Sequence, residues 1–245
     1  MHTIGDNRSI LGILGGLGPL SSAYFYEMIT EHTKASRDQD HIDIILSSRA
    51  TTPDRTAFIL GKSDEDPVPF MVEDAKLLEQ YGADAIVIPC NTAHHFIEEV
   101  RNSVSVPVPS IITETVSHIK RNGYKKVAIL ATEGTVQSGS YQAELECAGL
   151  LWQVPDKPGQ DIITDIIYGD VKSGRVPLPE KLYAVADPMF EDGCDCAILG
   201  CTELSVLKRQ FRQNKKYVDS LEVLAATAIK LFGHEAVGFT DDFDL

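Results

Sequence analysis

The chain is short of positive charge: 22 lysines and arginines stand against 36 aspartates and glutamates, a formal net charge of −14. Binding to a phosphate backbone needs a clustered basic surface, so no nucleic-acid partner is expected. An acidic small molecule stays open, because a few local Arg and Lys residues override the overall sign. No apolar run approaches the ~20 residues that cross a bilayer, so no membrane span is expected. The first ten residues, MHTIGDNRSI, have no basic stretch leading into an apolar one, so no secretory signal is expected. The glycine run after the first strand does not fit GxGxxG, no P-loop Lys-Ser/Thr follows it, and there is no CxxC pair, so neither a nucleotide site nor zinc is expected. Five cysteines form no disulfide-like framework, which fits free thiols in a reducing, cytoplasmic setting. With 43% hydrophobic and 24% charged residues, the 245 positions suffice for one large domain or two of about 100–150 residues.

Two near-repeats are the most informative feature present. IVIPCNTAH carries Cys90 after the apolar run Ala85–Ile88, and AILGCTEL carries Cys201 after Ala197–Leu199. Gly82-Ala83-Asp84 precedes the first and Gly193-Cys194-Asp195 the second. Each reads as helix, turn, buried parallel strand and then a cysteine at the strand's C-terminal end. Asn91-Thr92 and Thr202-Glu203 are N-cap and first-turn types, so a helix should start after each thiol, and its dipole favours thiolate. Strand ends are where open α/β sheets hold ligands. Two such thiols, 201 − 90 = 111 residues apart, suggest two similar lobes facing each other across a small molecule.

Strand-like runs and helical patterns alternate throughout. The first half reads as strand Ser9–Leu14, helix Leu20–Thr33 capped by Ser21 or Ser22, strand Ile42–Leu46, short helix Thr56–Leu60 and helix Phe70–Tyr81 before the first cysteine strand. Val104–Pro109, with two prolines, reads as a crossing between lobes. The pattern then restarts with helix Ile112–Asn122, strand Lys126–Leu130, and helices Gly139–Ala148, Asp161–Lys172 and Pro179–Glu191. The second cysteine strand and helix Ser220–Leu231 follow, and such alternation implies parallel sheets in both halves. The expected division puts residues 1–105 and 215–245 in one lobe and 106–214 in the other.

Other groups have ordinary explanations. Cys194 and Cys196 approach a strand, Cys147 reads as a packing residue, and His94 and His95 should share a first turn, one facing in and one out. Asn91, Thr92, Thr132, Thr135 and Thr202 sit at strand ends, where a cap can also serve a bound carboxylate. Arg55 lies in a polar loop, by default at the surface.

Taken in order, GILGGLGP, TPDRTAFILG, IPCNTAH, LATEGT, IYGDVKSG and LGCTELS resemble the aspartate/glutamate racemase superfamily, and most of all its PLP-independent aspartate racemases. The resemblance runs from about Leu11 to Leu231. It implies two α/β lobes, each with a parallel four-stranded sheet flanked by helices, an active site in the cleft between them, and a homodimer. It also implies no cofactor and no metal, and inversion of Cα by proton transfer between two cysteines. Position by position, Cys90 and Cys201 match the catalytic thiols, and Asn91, Thr92, Thr132 and Thr202 the groups that hold the α-carboxylate and ammonium. Arg55 and Lys172 match the residues facing the substrate's side-chain carboxylate; Leu17 and Ala93 complete the expected substrate-binding set. Leu17 replaces the methionine of the family's GGMGP, Gly159-Gln160 stands where a glutamate-glutamine pair is expected, and the aspartate-serine-glycine motif of glutamate racemases is missing. The implied activity is therefore an amino-acid racemase for aspartate. A broader aspartate/glutamate racemase, or a maleate-isomerase-like isomerase or lyase on the same fold, is the alternative.

The chemistry is demanding, because a carboxylate beside Cα resists a second negative charge. Without a pyridoxal electron sink the protein must stabilise the carbanion-like state by electrostatics, with a base on one face and an acid on the other. One sulfur must then be thiolate and the other thiol.

Overall fold

The computed structural model describes residues 9–208 and 216–239; the acidic run Asp241–Asp244 lies outside them. The first lobe comprises β1 (Ile10–Gly15), α1 (Pro19–His32), β2 (Asp43–Ser48), α2 (Arg55–Ile59), α3 (Val68–Gln80), β3 (Ala85–Val87) and α4 (Ile97–Arg101). Then come α5 (Ile111–Arg121), β4 (Lys126–Ala131), α6 (Glu133–Ser138), α7 (Ser140–Ala148), β5 (Leu151–Gln153), α8 (Lys157–Thr164), α9 (Pro179–Glu191), β6 (Cys196–Gly200), α10 (Thr202–Lys208), β7 (Tyr217–Asp219) and α11 (Ser220–Leu231). Among the described residues these seven strands pair in parallel, in the orders β2-β1-β3 and β5-β4-β6-β7. The central strands β1 and β4 are apolar and almost wholly buried, as strands covered by helices on both faces must be.

The repeated motif folds twice in the same way. Gly82 and Gly193 take left-handed backbone (φ 94° and 89°) where α3 and α9 end, a conformation that favours glycine. Asp84 then accepts the Ile10 amide at 2.7 Å, and Asp195 accepts the amides of Lys125 and Lys126 at 2.7 and 3.0 Å. Each aspartate thus pins its turn to the start of the lobe's central strand.

The first sheet has three strands among the described residues, where four were expected. The missing strand has a counterpart in Val106–Pro109: Ile86 donates its amide to the Pro107 carbonyl at 2.9 Å, as Ala197 donates to Lys216 beside β7 at 2.7 Å. Pro107 and Pro109 have no N–H to return, so the ladder stops at one bond. In the second sheet Tyr217–Asp219 forms a true strand against β6. Those three residues, expected with the first lobe, belong to the second sheet. We place the two lobe crossings at Ser110, just before α5, and at Ser220, the first residue of α11.

After the crossings, α11 packs against α1 and α5, and Thr33 bridges Ala236. A single apolar cluster therefore runs through both lobes, joining Phe25 and Met28 of α1 to Val116 and Ile119 of α5 and Leu224 and Ile229 of α11. Separate clusters cover the outer faces of each sheet. At about 25 cal/mol per Å² of buried apolar surface, this shared seam ties the lobes far more firmly than a flexible linker would.

Several local expectations are corrected. Helix α1 starts at Pro19 with Gly18 as its N-cap; Ser22 lies inside it, donating to the Gly18 carbonyl and accepting the Gly16 amide, both at 2.9 Å. Residues 161–172 are not one helix: α8 gives way to a π turn, Asp165–Asp170, and a 3-10 turn, Val171–Ser173. Lys181 bridges Asp165 and Asp170 across the widened turn at 2.8 and 2.6 Å. Cys147 is exposed rather than packed.

Candidate active site

The glycine turn after β1 and the ends of β3, β4 and β6 meet in the cleft. Gly16 is required there: its φ is +80°, and a Cβ would collide with the Arg49 backbone. Leu17, Arg55, Cys90, Asn91, Thr92, Thr132, Lys172, Cys201 and Thr202 all line one cavity, joined by Asp54, Thr56, Tyr168 and Glu203. Nine of the ten expected site residues thus come together. Ala93 does not; it is fully buried among apolar neighbours around Cys90. The cavity holds only about 10 Å³, room for about one water. Beside it opens a chamber of about 450 Å³, which shares Leu17, Asp54, Arg55, Lys172 and Glu203.

After Cys90 the chain does not form the expected capped α-helix. It makes a 3-10 turn, Thr92–Phe96, with Asn91 already helical and not capping. The Asn91 side chain is used elsewhere: Nδ2 donates to Ser220 Oγ at 3.0 Å, and Tyr141 donates its hydroxyl to Oδ1 at 2.6 Å. Thr92 Oγ1 lies 3.0 Å from Thr132 Oγ1 and 2.8 Å from Thr135 Oγ1, so one hydroxyl cluster joins the two lobes. His94 faces inward and His95 is exposed, as expected. Ile111 donates its amide to His94 Nε2 at 3.0 Å, so Nδ1 carries the proton and donates to the Cys90 carbonyl at 2.8 Å. Burial pushes the His94 pKa down to about 4. This histidine is a neutral clasp.

Cys201 sits at the end of β6, and α10 begins at Thr202 as expected. Its thiol donates to Glu203 Oε2 at 2.9 Å. Burial first, and then the Glu203 carboxylate, push the thiol well above its ordinary pKa, against the thiolate expected from the helix dipole alone. In a dry site a carboxylate at hydrogen-bond distance outweighs a few partial charges.

Arg55 is buried, as the ligand reading requires and the surface default does not. Its Nη1 donates to the carbonyls of Thr52 and Pro53 at 3.1 and 2.8 Å, and Nη2 to that of Leu17 at 2.6 Å, while Nε has no partner among the described residues. Lys172 lies 4.5 Å from the centre of the Tyr168 ring and 4.0 Å from Glu203 Oε1. Burial opposes its charge, but Glu203, Cys201, Tyr168 and Cys90 together hold its pKa above the ordinary value. The site thus keeps two cations beside two thiols, a layout suited to an anionic molecule.

Glu203 is the chief residue that sequence reasoning missed. A signal existed: the repeat offset of 111 aligns it with Thr92, an acid where the first lobe has a hydroxyl. Among the described residues no group of His, Cys, Asp or Glu is arranged as a metal site, and no helix is long and apolar enough to cross a membrane.

Two parallel-sheet α/β lobes thus bring a thiol from the strand end of each into one cavity. Residues 14–228 match the Asp/Glu/Hydantoin racemase family model, and the chain belongs to that family. The aspartate racemase of Picrophilus torridus superposes with a TM-score of 0.83 at 32% identity, over 94% of this chain and 96% of that one. An aspartate racemase homologue from Pyrococcus horikoshii gives 0.74 at 26% identity, over 92% of this chain and all of that one. By sequence, the broad specificity amino-acid racemase RacX of Bacillus subtilis is 28% identical over 91% of this chain and 98% of its own length. The glutamate racemase of Persephonella marina is 30% identical over 70% and 66%. The chain is accordingly a racemase-family isomerase.

Proposed function

We propose that the protein is a cofactor-independent racemase that prefers aspartate and inverts Cα by proton transfer between Cys90 and Cys201. The observation that carries this reading is the single cavity in which both thiols meet Arg55 and Lys172. On substrate entry the Thr92 and Thr132 hydroxyls exchange their mutual hydrogen bonds for the α-carboxylate, joined by Thr202 and the second hydrogen of Asn91 Nδ2. Its side-chain carboxylate takes the unused Arg55 Nε–H and the Lys172 ammonium. One thiolate removes the Cα proton, and the opposite thiol supplies another to the other face, while donors around the α-carboxylate stabilise the charge that moves onto it. About 10 Å³ does not hold aspartate, so the cleft opens to admit it, and the adjoining chamber is the route. The reaction then runs with water excluded.

The size of that chamber, about 450 Å³, favours one second reading: longer side chains, glutamate among them, are also accepted. The active form is a homodimer in the reducing cytoplasm, checked by light scattering at working concentration.

The test incubates pure protein separately with L- and D-aspartate and with L- and D-glutamate in deuterated water, following optical activity and Cα deuterium. Both enantiomers should approach the racemate with deuterium at Cα, and prior treatment with EDTA or hydroxylamine should change nothing. No exchange from either enantiomer of aspartate or glutamate overturns the reading, and an unsaturated product replaces it with a lyase.

A further inference from the structure

Glu203 stands at the position matching Thr92 and is buried at 4% exposure. Both lobes hold it. Oε2 accepts the Cys201 thiol at 2.9 Å, Oε1 accepts the Ser21 hydroxyl of α1 at 3.4 Å, and Lys172 Nζ lies 4.0 Å from Oε1. Gly18 leaves it room, since a Cβ there would stand 2.8 Å from Oε1. Thr92, in contrast, commits its hydroxyl to Thr132 and Thr135. Among the described residues no carboxylate is hydrogen-bonded to Cys90.

We propose that Cys201 and Glu203 share one proton, so that the negative charge of the second lobe's base rests on carboxylate oxygen between turnovers. The proposal builds on the two-thiol racemase reading, and Glu203 acts in it as a positioning residue, through the sulfur. When Cys201 is the base, its S–H bond breaks and an O–H bond forms at Oε2. The thiolate then takes the Cα proton, leaving the C–H electron pair on the substrate until Cys90 supplies a proton from the opposite face. In the reverse direction Cys201 gives its proton to Cα, and the protonated Glu203 restores it. Proton count and charge balance in both senses. Holding the proton on sulfur at rest also protects a buried thiol from oxidation, which proceeds through thiolate. The charged or titratable groups facing the pair are Lys172 and Tyr168 after α8, Asp54 and Arg55 at α2, and Cys90 across the cavity.

The test compares folded wild type with Glu203→Gln, which keeps shape and an acceptor but loses the charge. Iodoacetamide labelling across a pH series, resolved by peptide mass spectrometry, reads each thiol without substrate. The pH of half-labelling at Cys201 should fall by about one unit or more in Glu203→Gln, with Cys90 unchanged, because the repelling carboxylate is gone. Lys172→Met should move it upward, because an attracting ammonium is gone. For aspartate, kcat of Glu203→Gln should fall about 100-fold with KM within about threefold. An unchanged or raised labelling pH at Cys201 in Glu203→Gln, or retained kcat, overturns the proposal. Should that variant not fold, a labelling pH that stays put or falls in Lys172→Met overturns it instead. Wild type that exchanges no Cα hydrogen refutes the racemase reading, which the labelling leaves separable.

Discussion

The two lobes run in step for most of a repeat. Each has a left-handed glycine after a helix, an aspartate pinning the turn to the central strand, a buried strand and a cysteine at its end. They part at the two residues after the cysteine. Asn91-Thr92 enters a 3-10 turn and is tied into a hydrogen-bonded cluster of hydroxyl and amide groups, whereas Thr202-Glu203 opens α10 and aims a carboxylate at its own thiol. Farther on, His94 and Ser205 hold equivalent places, 111 residues apart. His94 clasps the start of α5 through Ile111, and Ser205 donates to Asp219 at 2.6 Å before α11. The same scaffold is thus built twice with different polar chemistry, as an inversion reaction needs: the backbone must be alike on both faces, but the proton inventory need not be.

The largest effect should come from the thiols themselves. Cys90→Ala and Cys201→Ala should each lower racemisation by at least about 10³-fold, since inversion needs both an acid and a base. Each variant should still exchange Cα hydrogen of one aspartate enantiomer slowly with deuterated solvent, one taking the L and the other the D form. A variant that racemises at a tenth of the wild-type rate would remove its cysteine from the mechanism.

Next in size is the acid response of the first lobe's clasp. His94 titrates at 6.5 when unfolded and about 4 when folded, so between these values the unfolded chain binds more protons. Stability should therefore fall as pH drops through that window, by about 3 kcal/mol from this residue. Asp219, raised by burial, acts in the opposite sense above 3.8. Urea unfolding of wild type and His94→Gln at several pH values isolates the histidine: the difference should shrink toward pH 4, and a constant difference would contradict the clasp.

Arg55→Lys should raise KM for aspartate about 30-fold, roughly 2 kcal/mol, because lysine cannot serve three backbone carbonyls and a ligand at once. Steady-state kinetics with a folded variant checks this, and an unchanged KM would move the side-chain carboxylate elsewhere.

The smallest effect probes the echo directly. Asp84→Ala loses one amide bond and Asp195→Ala two, so costs of about 1 and 2 kcal/mol are expected, in that order. Chemical denaturation of both variants would show whether the two turns are energetically alike.

Much of this was legible from local pattern. The strands flanking both cysteines, helix Pro179–Glu191 and helix Ser220–Leu231 follow from apolar periodicity and flanking turn residues, which act over a few positions. Tyr217–Asp219 was not recognised as a strand, because three residues carry no periodicity and pair only through β6. The π turn at Asp165–Asp170 was missed because its pattern of isoleucines fits an ordinary helix; Lys181, from the next helix, bridges it. Thiolate at Cys201 was expected from the dipole of α10, which the neighbouring carboxylate overrides at short range.

The sequence by itself determined the duplicated strand-cysteine design, the acidic balance and the set of residues matching the racemase superfamily, because all of these reside in residue order. Only the tertiary structure decided that Arg55 is buried with its Nε–H unspent, and that Glu203 holds the proton side of Cys201. It alone decided that Pro107 and Pro109 leave the first sheet a strand short. Each of these depends on what chain segments dozens of residues away place against the side chain, and the strength of a charge or hydrogen bond is set by that surrounding medium rather than by its neighbours in sequence.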